Sequence, residues 1–121
     1  MKVLLILFLN CFSLLVQNIE RDINEALSSG DVKLLSQHFT SSIKLSLHRE
    51  EQVANKSKAE WIIADYLKDN KFSDLKKTSR LEDGNSNFII YEAKIQRKEI
   101  RILIKLVNLK NTNYISEIII E

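Results

Sequence analysis

Two short helical patterns, separated by a glycine, occupy the stretch from Asn18 to Phe39. Gly30 can adopt the left-handed conformation that ends the first helix, and Asp31 has the side chain of an N-cap for the second. Helices this short are not stable alone in water, so both are expected to cover another part of the chain. The apolar positions at helical spacing are Ile19, Ile23, Ala26 and Leu27, then Val32, Leu35 and Phe39.

From Ser42 the hydrophobic period changes from helical to alternating. Ile43, Leu45 and Leu47 alternate with polar residues, which predicts a half-buried strand over Ser42–His48. The segment Arg49–Lys56 that follows is polar, and we expect it to form a loop.

A third helix is predicted from about Lys58 to Asn70. The sequence SKAE fits a capping box, in which Ser57 accepts from the amide of Glu60 and the Glu60 side chain reaches back. The apolar stripe of this helix comprises Ala59, Ile62, Ile63, Tyr66 and Leu67.

Trp61 lies nearly opposite that stripe by helical angle. We expect Val53 and the loop 49–56 to fold over it. The alternative is an exposed tryptophan that marks a partner or ligand surface.

After Phe72 the chain becomes rich in strand formers. Asp83-Gly84 is a hairpin signal, and the short links between strands favour an antiparallel meander. The element order α-α-β-α-β-β-β-β predicts an α+β fold, with the N-terminal helices and the third helix packed on the concave face of a curved antiparallel sheet. The predicted strands are Asp74–Leu81 at an edge, Phe88–Gln96, Glu99–Lys110 and Tyr114–Glu121.

The face of these strands that is expected to be concave is apolar and carries no carboxylate or imidazole. Such a floor argues against proton-transfer catalysis, although a slip of one residue would exchange the two faces. Its members are Ile43, Leu45, Leu47, Ile89, Tyr91, Ala93, Ile95, Ile100, Ile102, Ile104 and Leu106.

The opposite face is also partly apolar. Three helices can cover only one side of a sheet, and a sheet that is apolar on both sides is usually covered on both. We therefore predict a homodimer through the back of the sheet. The apolar residues of this face are Phe88, Ile90, Leu103, Val107 and Leu109.

Residues 1–17 have the pattern of a signal peptide, which predicts an exported protein, periplasmic or secreted. The apolar run from Val3 to Val16 is interrupted by Asn10, and as a helix it would reach only about 21 Å, short of the roughly 30 Å of a bilayer core. Cleavage is expected between Ser13 and Asn18, leaving a single domain over 18–121 with no stable membrane span.

Cys11 is the only cysteine and is expected to be removed with that segment, the alternative being lipidation. The mature chain would then have no disulfide and no thiol nucleophile.

The length and charge of the chain limit the number of domains and the classes of partner that are expected. A chain of 121 residues is expected to form one domain. Its 18 basic and 16 acidic residues leave no strong overall field, so no nucleic-acid partner is predicted.

Three segments of the chain carry a family resemblance, DINEALSSGDVKLLSQHFTSSIKL, SKAEWIIADYLKDN and NYISEIIIE. They resemble a bacterial family of short exported proteins of unknown function, grouped with the nuclear transport factor 2-like, or cystatin-like, α+β fold. The resemblance implies a cone-shaped sheet closed by helices. Relatives in that fold class often hold a small ligand in the cone, and some catalyse isomerisation or dehydration there, but the family has no established activity to transfer.

The histidines give no strong site. His38 is expected at a helix end in contact with solvent, and His48 with Glu50 lacks a third metal ligand. No catalytic residue, metal or cofactor is predicted.

We therefore predict a non-catalytic domain that binds a small apolar ligand or a protein partner. The alternatives are an enzyme that uses Tyr66, Tyr91 and His38 in the cone, and a purely structural dimerisation module. The expected ligand contacts are Phe39, Tyr66 and Tyr91, and the expected partner surface is Trp61, Phe88, Leu103 and Val107.

Overall fold

The computed structural model describes residues 18–84 and 86–121. The predicted signal peptide, its cleavage site and Cys11 lie outside the described residues. Three helices and six strands follow one another in the order α1 (Asn18–Ser29), α2 (Val32–Ser36), β1 (Phe39–Leu47), β2 (Glu50–Asn55), α3 (Lys56–Asp69), β3 (Ser73–Asp83), β4 (Ser86–Ile95), β5 (Lys98–Leu109) and β6 (Thr112–Ile120).

The six strands form one sheet in the order β2-β1-β6-β5-β4-β3. Strands β3 to β6 make the predicted antiparallel meander, and β3 lies at an edge as expected. The last strand, β6, lies between β5 and β1 and pairs with β1 in parallel. The β1–β2 hairpin is thereby joined to the meander, and the helices pack on one side of a curved, unclosed sheet.

The prediction of a loop over Arg49–Lys56 is wrong, because most of this segment forms β2. The turn before it consists of His48 and Arg49, with φ of 50° and 76°, and positive φ at both central residues is typical of a tight type I′ hairpin. Neither residue is a glycine, so the turn signal is missing from the sequence. As an edge strand, β2 buries only Ala54, so it has no alternating apolar pattern either.

The predicted capping box at the start of α3 is also wrong. Asn55 is the N-cap, and its Oδ1 accepts from the backbone N–H of Lys58 at 2.8 Å. Glu60 does not reach back to the helix start, since its Oε1 accepts from Ser36 Oγ at 2.7 Å and so joins α3 to α2. The helix begins at Lys56, two residues before the predicted start, because β2 leads directly into it.

The connection between α1 and α2 agrees with the sequence pattern. Gly30 has a φ of +79°, and its N–H donates to the carbonyl of Ala26 at 2.8 Å. Asp31 caps α2, with its Oδ1 accepting from the N–H of Leu34 at 3.2 Å. Phe39, which the helical pattern placed in the second helix, is instead the first residue of β1.

The concave face of the sheet is the core of the domain. Ile102 and Ile104 are 0% exposed, and every predicted concave residue is buried except Leu47, which is half-buried and packs against the same cluster. The helical stripes close this face through Ile23, Leu35 and Ile63. The concave side is therefore occupied by packed side chains from both layers.

Candidate functional site

The three predicted ligand contacts lie in or beside the core. Phe39 is 2% and Tyr91 1% exposed, while Tyr66 is half-buried and its hydroxyl lies 2.7 Å from Nε2 of His48. None of the three lines the grooves described below, and their role in ligand binding stays a prediction.

Both of these tyrosines are held in the neutral form at ordinary pH. Burial raises the pKa of the Tyr91 phenol, and the nearby Arg80 guanidinium opposes this shift in part. Burial also raises the pKa of the Tyr66 phenol. Arg80 itself pairs with Glu20, which connects β3 to α1.

The two histidines make contacts between elements rather than a shared site. His38 lies just after the C-terminal end of α2, where it is half-buried, and its Nε2 lies 2.8 Å from Oδ2 of Asp22. This pair ties the start of β1 to α1, while His48 contacts α3 through Tyr66. Among residues 18–84 and 86–121, no three of His, Cys, Asp and Glu are grouped closely enough to hold a metal ion.

The back of the sheet brings together apolar side chains from three neighbouring strands. Ile90 pairs with Leu103, and Leu103 pairs with Ile119, so these three form one row across β4, β5 and β6. Val107 and Tyr114 pair in a second row. All the residues of these two rows are half-buried by their neighbours in the sheet, and the helices lie on the other side of the sheet. We call this surface the convex patch, and its members are Phe88, Ile90, Leu103, Val107, Tyr114 and Ile119.

A pair of charged residues crosses the convex patch. Lys105 lies between Phe88 and Glu117 in the strand register, and its Nζ is 5.8 Å from the centre of the Phe88 ring. The patch is therefore apolar with one basic and one acidic group, not uniformly charged.

The predicted partner residues fall on two different surfaces. Phe88, Leu103 and Val107 share the convex patch, as the alternation in β4 and β5 predicts, but Trp61 lies on the helical side. Tyr114 and Ile119 complete the patch and were not identified from the sequence. The run Ile118–Ile120 is apolar on both faces, so alternation does not reveal which of its residues faces outward.

The prediction that Val53 covers Trp61 is wrong. Trp61 is 67% and Val53 68% exposed, because the segment that contains Val53 is paired into the sheet as β2 and cannot fold over α3. Trp61 instead lines an open groove of about 650 Å³ between the end of α1, α2, α3 and the linker after α3.

A second groove, of about 640 Å³, lies beside β4 and β5 at the end of the sheet where Ala93 and Ile100 pair. Its lining is strongly charged, and Arg101 and Glu121 there form an ion pair at 2.7 Å. Within the described part of the chain, no helix combines the length and the hydrophobicity that crossing a membrane requires.

Residues 20–121 match the model of a family described as a domain of unknown function, DUF4783. No curated protein matches the sequence.

Solved structures resemble the chain over most of its length. A DUF4783 protein from Bacteroides ovatus is 21% identical with a TM-score of 0.73, covering 79% of this chain and 87% of that one. A nuclear transport factor 2-like protein of unknown function from Cytophaga hutchinsonii is 12% identical, with a TM-score of 0.62 and 88% of each chain covered. A protein with a cystatin-like fold from Silicibacter pomeroyi is 9% identical, with a TM-score of 0.63, covering 85% of this chain and 73% of that one. These similarities confirm the predicted fold class.

Proposed function

The chain belongs to the DUF4783 family, and on that premise we propose that it is an exported, non-catalytic domain that acts as a homodimer joined through the convex patch. The single observation that carries this proposal is the apolar surface of Leu103 and its neighbours on the side of the sheet that α1, α2 and α3 leave bare. Export is proposed from the pattern of residues 1–17 alone.

The contrast with the concave side supports an association role for the sheet back. The buried inward side chains of β4 and β5 are apolar except for the hydroxyl of Tyr91, and they belong to one cluster with the helical residues. Burial of this face stabilises the fold. The convex patch has comparable apolar side chains without that cover, and apolar patches of this kind mark interaction surfaces.

The size of the sheet back suits a second copy of the chain. The convex patch lies on β6, β5 and β4, and with the flanking strands β1 and β3 the sheet back is about 24 Å wide, while the advance from Ser86 to Glu92 gives a length of about 20 Å. The projected area is roughly 500 Å². Side-chain relief increases the accessible area towards the ~800 Å² per partner of a standard interface.

The charges of the patch also favour a copy of the chain over a strongly acidic or basic partner. In a two-fold interface the same surface meets itself, so Lys105 of one protomer can approach Glu117 of the other. The patch itself carries Lys105 and Glu117, and the sheet back around it adds Lys44, Glu92 and Arg101. Both signs are therefore present, which gives no preference for a partner that is strongly charged with one sign.

Sedimentation velocity of residues 18–121, from about 1 μM to several hundred μM, tests the proposal. We expect a concentration-dependent dimer. Leu103→Glu places one carboxylate from each protomer at the centre of the interface and should shift the protein to monomer over the whole range, because removing these like charges from water is costly. Circular dichroism of this variant should remain that of the folded chain.

Trp61→Glu is the matched control, since it puts the same charge on an exposed aromatic residue of the opposite surface. We expect it to dimerise normally. A strict monomer at every concentration would overturn the proposal, and a dimer that Trp61→Glu dissociates but Leu103→Glu does not would place the interface on the helical side.

A further inference from the structure

The groove on the helical side combines an apolar floor with the largest exposed apolar side chain of the described chain. Its volume of about 650 Å³ lies within the range of about 300–1,000 Å³ that is typical of small-molecule sites. Trp61 is 67% exposed along its wall. The apolar lining residues are Leu27, Val32, Trp61, Ala64, Leu67 and Phe72.

Three lysines, Lys33, Lys68 and Lys71, lie at the same groove. Each is exposed, and among the residues that the structure describes none of the three has an ion-pair partner. An anion placed here would therefore not have to displace an internal carboxylate.

The two acidic residues of the groove already have partners within the fold. Asp31 Oδ1 caps α2 by accepting from Leu34, and Glu60 Oε1 accepts from Ser36 Oγ at 2.7 Å. These contacts hold both carboxylates at the ends of helices, while the lysines remain free to turn towards a ligand. The net charge of the lining is positive.

We propose that this groove binds small amphipathic anions, meaning molecules with an alkyl or aromatic body and one carboxylate or sulfonate. The body would lie against Trp61 and the apolar floor, and the head group would approach the lysines. An apolar body alone would leave the three charges unused, and a cationic head group would be repelled by them. This site is separate from the convex patch and does not depend on dimerisation.

Trp61 is the only tryptophan of the chain, so its fluorescence reports directly on the groove. We expect decanoate, titrated below its micelle concentration, to change the emission in a saturable way. Decyltrimethylammonium has the same alkyl body with the opposite charge and should bind at least about tenfold more weakly, because it meets like charges at the rim. Raising the salt concentration should weaken decanoate binding.

The double variant Lys68→Gln/Lys71→Gln should lose about tenfold in affinity for decanoate, since two of the three opposite charges are removed. The control variant Lys98→Gln/Lys110→Gln removes two exposed lysines that do not line the groove and has the same net charge. It should bind as the unchanged chain does.

Equal responses to decanoate and decyltrimethylammonium, or equal affinities of the two double variants, would overturn the proposal. Leu103→Glu distinguishes this failure from failure of the dimer proposal. If both proposals hold, this variant is monomeric and still binds decanoate with unchanged affinity.

Discussion

The two faces of β5 differ both in composition and in cover. Ile102 and Ile104 point to the concave face and are fully buried, whereas Leu103, between them, points to the convex face and is half-buried. The concave positions are apolar from Ile100 to Leu106, while Arg101 and Lys105 flank Leu103 on the convex face. The interior therefore forms on the face that is free of charged side chains and covered by the helices.

The cover itself comes from distant parts of the chain. Ile23 of α1, Leu35 of α2 and Ile63 of α3 belong to the same cluster as Ile104. Hydrogen bonds between side chains of different elements hold the helices in place, such as those of His38 with Asp22 and of Ser36 with Glu60. The convex face has no equivalent within residues 18–84 and 86–121.

The largest expected effect is the difference in unfolding free energy between two truncations at adjacent residues of β5. Ile104→Ala should lower the free energy of unfolding by about 2–5 kcal/mol, because it leaves a cavity in a packed core. Leu103→Ala should lower the free energy of unfolding of the monomer by about 1 kcal/mol or less, since its side chain is only half-buried. Urea denaturation at low micromolar concentration measures both values. Equal costs would mean that the convex face is as tightly packed as the concave one.

A smaller loss of stability is expected when the N-terminal cap of α3 is removed and the core side chains are left unchanged. Asn55→Ala removes the N-cap of α3 and should cost about 1 kcal/mol in the free energy of unfolding. Ser57→Ala, at the position that the sequence pattern favours as the cap, should change stability by less than about 0.5 kcal/mol. If Ser57→Ala proved more destabilising than Asn55→Ala in urea denaturation, Ser57 would be the cap, as the capping-box pattern predicts.

On the convex face, the interaction between Lys105 and Glu117 should be weak. A double-mutant cycle with Lys105→Ala and Glu117→Ala, followed by denaturation of the monomer, should give a coupling of about 0.2–1 kcal/mol, as is usual for cross-strand pairs of opposite charge. A coupling of several kcal/mol would show that this face is desolvated even in the monomer.

The smallest expected effect on stability comes from ionisation of Tyr91, which matters only at alkaline pH. Burial raises the pKa of its phenol, so above about pH 10 the unfolded chain loses this proton while the folded chain retains it. Stability should be unaffected below pH 10 and should fall as the pH rises towards the folded pKa. Tyr91→Phe should reduce this alkaline loss in denaturation curves measured at pH 8 and pH 11. An identical loss in the variant would show that Tyr91 does not contribute.

Much of the fold could be predicted because local patterns there agree with the tertiary structure. The change from helical to alternating period located both helical regions and the meander, and alternation in β4 and β5 assigned each residue to the correct face. The prediction failed at β2, where polar edge residues and a turn of His48 and Arg49 give no strand signal. It also failed at α3, where Asn55 and Ser57 are both good caps and only the end of β2 selects between them.

The candidate surfaces were predicted less completely. The groove beside Trp61 combines residues from α1, α2, α3 and the following linker, which no local pattern connects. Whether Trp61 is covered depended on where β2 lies, and this in turn depended on its pairing with β1.

The periods of the strands and helices follow from the amino-acid order alone, because side-chain direction repeats every two residues in a strand and every 3.6 in a helix. The position of β6 between β5 and β1, the helical cover on one face of the sheet and the exposure of Trp61 do not follow from it. Those outcomes depend on contacts between segments far apart in the chain, where many pairings satisfy the local patterns and the packing of the whole core selects one.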